Sequence, residues 1–380
     1  MIDILFWISA VLIAYVYVGY PLLVALSAAV LDRRVKKSPA TPFVTIVIPA
    51  HNEERYIRAT VRNKLELDYP KDRMEILVVS DGSTDQTDRM VREFAEPGVR
   101  LIRQEPRQGK TSALNRAIGE ARGEIIAFSD ANSLYQVDAL RQLVANFSDD
   151  SVGYVTGKMI YVHPDGSVIG DGCSTYMKYE NFIRSAETRV GSLVGVNGGI
   201  DAVRKYLYEP MLADRQPDFV LPLKVVEKGY RVVYEPNAVV RESALSRAGD
   251  EYRMRVRVAL RALHAIWDGR RLLNPLRYGL FAWQLLSHKA LRYGAFILLI
   301  VLYLLNLALV REAFLYRLTL LLQTVFYSSA LVGWVLERNG KGSGILYIPF
   351  YFSLLNVASI HAFFKMLLGS RPVTWNPRGG

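Results

Sequence analysis

Long uncharged, apolar runs at both ends of the chain constrain its fold more than any other feature. The first run, Ile4–Leu31, is 28 residues long and is followed by a basic cluster at 32–37. A transmembrane helix needs about 20 apolar residues, so this run is long enough to cross a bilayer. A secretory signal peptide, the alternative, would have a basic stretch before a shorter run. We therefore predict a transmembrane anchor over residues 1–40, with the following region in the cytoplasm.

Three more uncharged runs near the other end also have spanning length. They are Tyr293–Val310, Leu318–Leu336 and Gly342–Phe364, each preceded by Arg or Lys. Buried core helices are the alternative, but three consecutive runs and a mean hydropathy of +0.13 favour a bilayer. We predict membrane helices and a tail over residues 291–380, and a multi-pass protein of the inner or plasma membrane. The Gly19-Tyr20-Pro21 sequence is expected to kink or end the first helix.

The net charge of +11 comes entirely from the C-terminal third of the chain. Residues 1–249 hold 31 Lys/Arg and 31 Asp/Glu, whereas residues 250–380 hold 16 and 5. Nucleic-acid binding is one explanation of such a basic chain. However, these basic residues alternate with apolar ones, which is typical of proteins that contact an anionic bilayer surface. We predict membrane lipid, and no nucleic acid, as a partner.

Residues 251–290 mix arginine with large apolar residues. The mixture is too charged to span a bilayer and too apolar for a solvated surface, so it predicts basic amphipathic helices at the membrane interface. Asn274-Pro275 is expected to divide them, because proline cannot continue a helix.

Residues 41–250 alternate short β-branched runs with longer helical stretches. The predicted strands are Phe43–Ile48, Glu75–Val79, Val99–Arg103, Glu124–Phe128 and Val152–Val155, and the predicted helices are Glu54–Leu67, Asp85–Glu96, Lys110–Ala121 and Val137–Phe147. This alternation predicts an α/β domain with a doubly wound, mostly parallel sheet. Ligands of such sheets bind beyond the carboxyl ends of the strands. A single cysteine, Cys173, excludes an intramolecular disulfide framework.

Polar clusters follow these strands at the predicted ligand-binding edge. Strand one ends in Pro49-Ala50-His51-Asn52-Glu53, where Asn52 capping the next helix is an alternative to ligand binding. Strand two ends at Asp81, a hydrogen-bond acceptor suited to a nucleotide base or ribose. The basic loop at 107–110 lacks the spacing of a Walker A or Rossmann loop, yet it can hold a diphosphate at a helix start.

Strand four ends in Ser129-Asp130-Ala131-Asn132-Ser133. Side chains at positions i and i+2 of an extended edge point the same way, so Asp130 and Asn132 could both bind one hard cation. An Asx-type turn that caps the next helix is the alternative.

Taken in order, the segments PAHNE, DGSTD, GKTSALN and SDAN resemble those of the family-2 glycosyltransferases, which have a GT-A nucleotide-diphosphosugar-binding fold. The flanking apolar runs are similar to the membrane-embedded polysaccharide-synthase branch, which includes cellulose, hyaluronan and poly-N-acetylglucosamine synthases. The resemblance covers roughly residues 40–290 by motif. It implies a GT-A domain at 41–250 between N-terminal and C-terminal transmembrane helices.

The resemblance also implies roles for individual residues. The donor, a nucleotide-diphosphosugar with UDP as the expected nucleotide, would contact a set of strand-end residues: Pro49, Ala50, Asn52, Glu53, Asp81, Lys110 and Asp130. Asp130 and Asn132 would hold Mg²⁺ or Mn²⁺. Gly198 and Gly199 would lie on the acceptor side.

Asp218 and Arg257 are the catalytic residues that the resemblance implies. An inverting transfer needs a base for the acceptor hydroxyl, which Asp218 would supply, and positive charge for the departing diphosphate, which Arg257 would supply. A helix N-cap is the alternative for Asp218, and contact with lipid headgroups is the alternative for Arg257.

The expected activity is that of a membrane-bound, metal-dependent, inverting hexosyl- or N-acetylhexosaminyl-transferase. The expected acceptor is a growing polysaccharide or cell-surface glycan. Transfer of a single sugar to a lipid-linked, polyprenyl acceptor is the alternative. A non-catalytic subunit that binds nucleotide-sugar is a third possibility, which the presence of Asp130 and Asp218 disfavours.

Overall fold

A mixed eight-stranded sheet and a set of long apolar helices make up the chain in a computed structural model, which describes residues 1–96, 98–162, 172–243, 248–342 and 344–374. The strands are β1 (Val44–Ala50), β2 (Met74–Asp81), β3 (Val99–Gln104), β4 (Ile125–Phe128), β5 (Leu134–Tyr135), β6 (Val152–Val162), β7 (Asp201–Arg204) and β8 (Arg231–Ser243).

The α-helices are α1 (Ile2–Ala14), α2 (Tyr20–Leu31), α3 (Ile57–Leu65), α4 (Thr87–Arg92), α5 (Lys110–Glu120), α6 (Ala139–Ala145), α7 (Gly172–Val190), α8 (Pro217–Glu227), α9 (Ala248–Asp268), α10 (Pro275–Tyr278), α11 (Leu280–Gln284), α12 (Leu291–Tyr293), α13 (Ala295–Leu309), α14 (Phe314–Arg338) and α15 (Tyr347–Leu367). The chain divides into two compact units. One, here called the sheet unit, contains residues 28–169, 180–244 and 371–380; the other, the helical unit, contains residues 1–27, 170–179 and 245–370.

The sheet has the strand order β3-β2-β1-β4-β7-β6-β8-β5. Strands β3, β2, β1 and β4 are parallel, whereas β7 is antiparallel to β4 and β6. Phe128, the last residue of β4, pairs with Asp201, the first of β7. The start of β7 therefore lies at the same edge as the carboxyl ends of β1, β2 and β4. This confirms the predicted α/β fold with a mostly parallel sheet.

Burial explains why these runs form central strands. Every residue of β1 is buried, as expected of a parallel strand covered on both faces. Helix α5 contributes Ala113, Leu114, Ala117 and Ile118 to the core beside the sheet, and this spacing places them on one helical face. Residues just before that face, including Lys110, are thereby held at the carboxyl edge.

Several boundaries differ from the prediction. The expected helices Glu54–Leu67 and Asp85–Glu96 are shorter, since α3 begins at Ile57 and α4 at Thr87. The residues before each helix form loops that bond to one another across the sheet edge. Strands β5, β7 and β8 were not predicted.

Among the described residues, three helical stretches have the length and apolar composition of membrane spans. They are Ile2–Leu31, Phe314–Arg338 and Gly344–Leu367. A fourth span exists if Leu280–Tyr293 and Ala295–Leu309, which are bent by 57° at Gly294, count as one. These helices indicate membrane association.

The first helix continues through Pro21, so the expectation that it could end there is wrong. Residues Tyr15–Gly19 form a π-turn, in which the Tyr20 N–H donates to the Tyr15 carbonyl. This wider turn comes just before Pro21, which has no N–H to donate, and α2 continues from Tyr20 to Leu31.

The break at Asn274-Pro275 is confirmed. Helix α9 ends at Asp268, and the Asn274 side chain accepts a hydrogen bond of 3.0 Å from the Leu276 N–H at the start of α10. Pro275 occupies the first position of α10, where its missing N–H costs nothing.

Candidate active site

The loops after β1 and β2 bind each other through short polar side chains. Asn52 has a positive φ of 53°, and its side-chain oxygen accepts a hydrogen bond of 2.8 Å from the Thr84 N–H. The Glu53 N–H donates to the Thr87 hydroxyl at 2.8 Å. Asn52 therefore does not cap the helix that follows it; Tyr56 occupies that position.

Asp81 organises the basic loop before α5. It is fully buried, and its Oδ1 accepts hydrogen bonds from Gln104 Nε2 at 2.6 Å and from the Gln108 N–H at 2.8 Å. Its Oδ2 accepts from the Gly109 N–H at 2.9 Å. Both carboxylate oxygens thus shape this loop, and the donor contact predicted for Asp81 stays a prediction.

Lys110 joins that loop to the end of β4. It is the first residue of α5, and its Nζ lies 2.5 Å from Asp130 Oδ1. Burial alone would lower the pKa of Lys110, but the negative charges of Asp130, Asp218 and Glu242 outweigh it and raise that pKa. Lys110 is thus a permanent cation at a helix N-terminus, which suits a diphosphate.

Gly109, the residue before α5, has a φ of +93°. A β-carbon there would lie 2.6 Å from the backbone oxygen of Val373, so the segment after residue 370 passes close to this loop. The same segment is held by Arg371, whose guanidinium lies 3.1 Å from Asp214 Oδ2.

Asp130 and Asn132 both follow β4, as predicted, and both are partly exposed. The alternative, that an Asx-type turn of this pair caps the next helix, is wrong, because Asp138 is the N-cap of α6. The described residues contain no group of three or more His, Cys, Asp and Glu placed to hold a metal. One carboxylate and one amide oxygen nevertheless fit Mg²⁺ or Mn²⁺ if diphosphate oxygens and water complete the shell, as is usual for Mg²⁺.

Asp218 lies against Gly198. A β-carbon on Gly198, which has a φ of +85°, would be 2.5 Å from Asp218 Oδ2. Gln216 Nε2 donates to the same oxygen at 2.7 Å. Gln216 is also the N-cap of α8, so the alternative role of Asp218 as the N-cap is wrong, and its carboxylate is turned toward Gly198.

Gly199 is required for a second close approach. A β-carbon on it would collide with Glu242, whose carboxylate accepts a hydrogen bond from the Ser133 hydroxyl. The buried Lys64 donates to the Ser133 carbonyl at 2.6 Å, and burial lowers the pKa of Lys64 despite the charge of Glu242. Sequence reasoning missed this buried support beneath the loop after β4, since Lys64 and Glu242 are far from it in the chain.

Asp201 is a second residue that sequence reasoning missed. It is fully buried at the start of β7, and burial together with the negative charge of Asp218 raises its pKa to about 7. The Thr156 hydroxyl, the Lys110 charge and the Gly198 N–H offset this only in part. A carboxylate within the apolar run Ile200–Val203 was the available signal.

The structure thus gathers most of the predicted residues at one edge of the sheet unit. The loop of Pro49–Glu53 lies beside the loop that follows Asp81. Asp81 bonds to the Gly109 N–H, the next residue, Lys110, pairs with Asp130, and the negative charge of Asp218 also raises the pKa of Lys110. Arg257 lies on α9 in the helical unit, and its catalytic role remains a prediction.

Comparisons with known proteins show which family and fold the chain resembles. Residues 45–199 match the model of the family described as Glycosyl transferase family 2. Over 220 residues the chain is 31% identical to the probable glycosyltransferase YdaM of Bacillus subtilis, covering 53% of this chain and 50% of that protein.

Two further relatives carry names that state their products. The chain is 29% identical to a beta-monoglucosyldiacylglycerol synthase of Nostoc sp. (43% of this chain, 36% of the relative). It is 26% identical to the poly-beta-1,6-N-acetyl-D-glucosamine synthase of Staphylococcus aureus (57% of this chain, 53% of the relative). The chain therefore spans about half the length, or less, of these curated relatives.

A solved structure matches nearly the whole chain. The mannosyltransferase PcManGT from Pyrobaculum calidifontis, in complex with GDP-Man and Mn²⁺, superposes with a TM-score of 0.72 at 25% identity, covering 96% of this chain and 99% of that one. The chain thus has a GT-A-like fold, and its residues 45–199 match the model of glycosyltransferase family 2.

Proposed function

We propose that the chain is a membrane-bound, metal-dependent, inverting glycosyltransferase that transfers a sugar from a nucleotide-diphosphosugar to an acceptor held at the membrane. One observation carries the proposal. Lys110, at the start of a helix, is subject to the charges of both Asp130 and Asp218 at the ligand-binding edge of the sheet. This supports a shared site for the residues that the family pattern predicts to bind the donor, hold the metal and act as base.

The donor's nucleotide lies along the loop of Pro49–Glu53, and its diphosphate lies at the start of α5. There, Lys110 and the N–H groups of the first helical turn face negative charge. UDP is the nucleotide that the resemblance implies, whereas the solved relative PcManGT holds GDP-Man. A panel of donors with different bases and sugars, hexose or N-acetylhexosamine, therefore identifies the one that this chain uses.

Transfer is a single displacement at the anomeric carbon. The acceptor oxygen forms a bond to that carbon while the bond to the diphosphate oxygen breaks, and the leaving nucleoside diphosphate keeps the electron pair. Asp218 takes the hydroxyl proton, and Gln216 holds the carboxylate in place. Lys110 stabilises negative charge on the leaving group, and the same role for Arg257, which the resemblance implies, stays a prediction. Mg²⁺ or Mn²⁺, held by Asp130 and Asn132, supplies further charge neutralisation when bound.

Two kinds of acceptor are consistent with the family. A growing polysaccharide or cell-surface glycan is what the membrane-synthase resemblance implies, and the staphylococcal relative is named for such a polymer. Transfer of one sugar to a lipid-linked acceptor is the second candidate, and the Nostoc relative is named for a glycolipid product. Apolar helices flank the enzyme domain and would bring either acceptor to the membrane.

A donor screen tests the proposal. Purified full-length protein in detergent is incubated with UDP- and GDP-sugars, with and without Mn²⁺, and release of the nucleoside diphosphate and product size are measured. Asp218→Asn should abolish transfer while leaving nucleotide binding intact. Asp72→Asn, a change at an exposed carboxylate, should leave both transfer and nucleotide binding unchanged. Full transfer by Asp218→Asn would remove Asp218 from the mechanism.

A further inference from the structure

Helix α5 carries two polar residues to which neither the donor site nor the metal site gives a role. They are Thr111 and Asn115, which follow Lys110 within the first two turns of the helix. Because they are four residues apart, their side chains lie on the same face of α5. That face holds the loop of residues 208–216, which leads into α8 and its second residue, Asp218.

Asn115 binds the first half of the 208–216 loop with three hydrogen bonds. Its Nδ2 donates to the Met211 carbonyl at 2.7 Å, and its Oδ1 accepts from the Met211 N–H at 3.1 Å. The same oxygen accepts from the Tyr208 hydroxyl at 2.8 Å. Asn115 thus pairs with the backbone of Met211 as a residue of an adjacent strand would.

The loop residues that Asn115 holds are buried. Tyr208 and Met211 pack in the same core cluster as Ala113 and Leu114 of α5. A buried polar group that loses its hydrogen-bond partner is destabilised by the full cost of its desolvation. The first half of the loop is therefore expected to move with α5 rather than independently of it.

Thr111 holds the second half of the loop. Its side chain is buried, and its hydroxyl donates to the Arg215 carbonyl at 2.6 Å. The next residue, Gln216, is the N-cap of α8 and donates to the Asp218 carboxylate at 2.7 Å. The hydrogen bond from α5 is thus followed directly in the chain by the residues that place the candidate base.

Ion pairs join the beginning of the loop to the other end of α8. Glu209 lies 2.8 Å from both Lys224 and Lys228, and hydrogen bonds from these two ammonium groups lower the pKa of Glu209 to about 2. The loop therefore connects two helices. One is α5, which begins with the proposed diphosphate ligand, and the other is α8, which carries the candidate base near its start.

We propose that Thr111 and Asn115 are positioning residues that hold the 208–216 loop on α5. By doing so they set where the candidate base, Asp218, lies relative to a donor bound at Lys110. This inference rests on the proposed function and deepens it, because one helix then serves both donor binding and placement of the base. A nucleoside diphosphate that stabilises the first turn of α5 also stabilises the loop that this turn carries.

Steady-state kinetics test the positioning role, with full-length protein in detergent and the nucleotide sugar that the donor screen identifies. Asn115→Ala should lower kcat roughly 10- to 100-fold, because a shift of about 1 Å in a reacting group can cost that much. The KM for the donor should change only several-fold, since Lys110 and the start of the helix remain. Thr111→Val should also lower kcat, and Thr111→Ser, which keeps the hydroxyl, should restore it.

Tyr208→Phe and Tyr69→Phe form a matched pair. The first removes the hydroxyl that binds Asn115. The second removes a hydroxyl that donates to the Pro42 carbonyl at 2.6 Å, just before β1 and at the opposite edge of the sheet. Both variants should lose a similar amount of thermal stability, measured as Tm, but only Tyr208→Phe should lower kcat. A purely structural role for these hydrogen bonds would leave kcat unchanged in both.

Hydrogen exchange tests the link between the two helices without turnover. UDP or GDP with Mn²⁺ should slow amide exchange in the wild-type protein both before α5 and in the 208–216 loop. In Asn115→Ala the nucleotide should still protect the residues before α5 but should protect the loop much less. Because coupling between two sites is reciprocal, the nucleotide affinity of this variant should fall as well, by no more than several-fold.

Two results would overturn the inference: wild-type kcat in a folded Asn115→Ala, or equal nucleotide protection of the 208–216 loop in the variant and the wild type. A wild-type protein that binds neither nucleotide would overturn it together with the proposed function. A protein in which nucleotide protects the loop through Asn115, but which transfers from no nucleotide sugar, would support the inference and overturn the proposed function alone.

Discussion

The carboxylate of Asp218 approaches the α-carbon of Gly198 so closely that no side chain fits between them. A β-carbon on Gly198 would lie 2.5 Å from Asp218 Oδ2, and the glycine has a φ of +85°. Asp218 is thus held from two directions, by the Gln216 amide and by the bare backbone of Gly198. A base positioned in this way needs no rearrangement to meet an acceptor hydroxyl.

Gly198→Ala should therefore abolish transfer. The new methyl group displaces the Asp218 carboxylate, and the positive φ adds strain of about 1–2 kcal/mol. Gly229→Ala is a matched control, since Gly229 has the same φ of +85° but no atoms within 4 Å of a β-carbon. It should lose similar stability and keep activity. Initial rates and melting temperatures check both variants; an active Gly198→Ala would contradict the assignment.

Lys110→Gln should weaken nucleotide binding. Removal of the Lys110 cation takes a charge-assisted contact from the diphosphate and leaves Asp130 without its partner, which is expected to cost roughly 10- to 100-fold in affinity. Calorimetric titration with UDP and GDP measures it. Arg141→Gln breaks an exposed pair with Asp68 at 2.8 Å and should leave affinity unchanged. Equal affinities in the wild-type protein and Lys110→Gln would exclude Lys110 from the donor site.

Asn132→Asp should strengthen metal binding. A second carboxylate beside Asp130 adds negative charge to a site with one charged ligand, and ligand charge tunes cation affinity. The Mn²⁺ concentration for half-maximal donor hydrolysis should fall several-fold. Asn339→Asp, a change at the exposed end of α14, is the control. A rate independent of added metal and insensitive to EDTA in both forms would remove the metal from the proposal.

Asp201 should make stability depend on pH. Its pKa is about 7 in the folded protein and about 4 when unfolded, so between these values only the folded state holds the proton. The free energy of unfolding contributed by this group is therefore fully present below about pH 4 and is lost as pH rises to about 7. Wild-type melting temperature should fall relative to that of Asp201→Asn between pH 5 and pH 7.5. A constant difference would show that Asp201 does not titrate there.

Much of the fold could be predicted because it depends on local pattern. The continuous apolar run of Val44–Ile48 reads as a buried parallel strand in any context. The positions of Asp81 and Asp130 follow from the rule that parallel strands present their carboxyl ends at one edge. The tendency of Pro21 to break a helix is equally local, yet the helix continues through it after a π-turn over Tyr15–Gly19.

The remaining features depend on contacts between distant parts of the chain. Asp201 meets Asp218 and Lys110 only because β7 pairs antiparallel with β4, and Glu242 reaches Ser133 only through β8. In the helical unit, Tyr17 and Arg292 are separated by most of the sequence. Motif order could identify the strand-end residues but not these partners.

By itself, the sequence determined the apolar helices, the alternation of strands and helices, and the polar residues at the strand ends, because hydropathy and periodicity act over a few residues. The tertiary structure alone decided that Asp81 shapes a loop and that Gly198 lies against Asp218. Burial, close approach and ring stacking arise only when segments far apart in the chain are packed together.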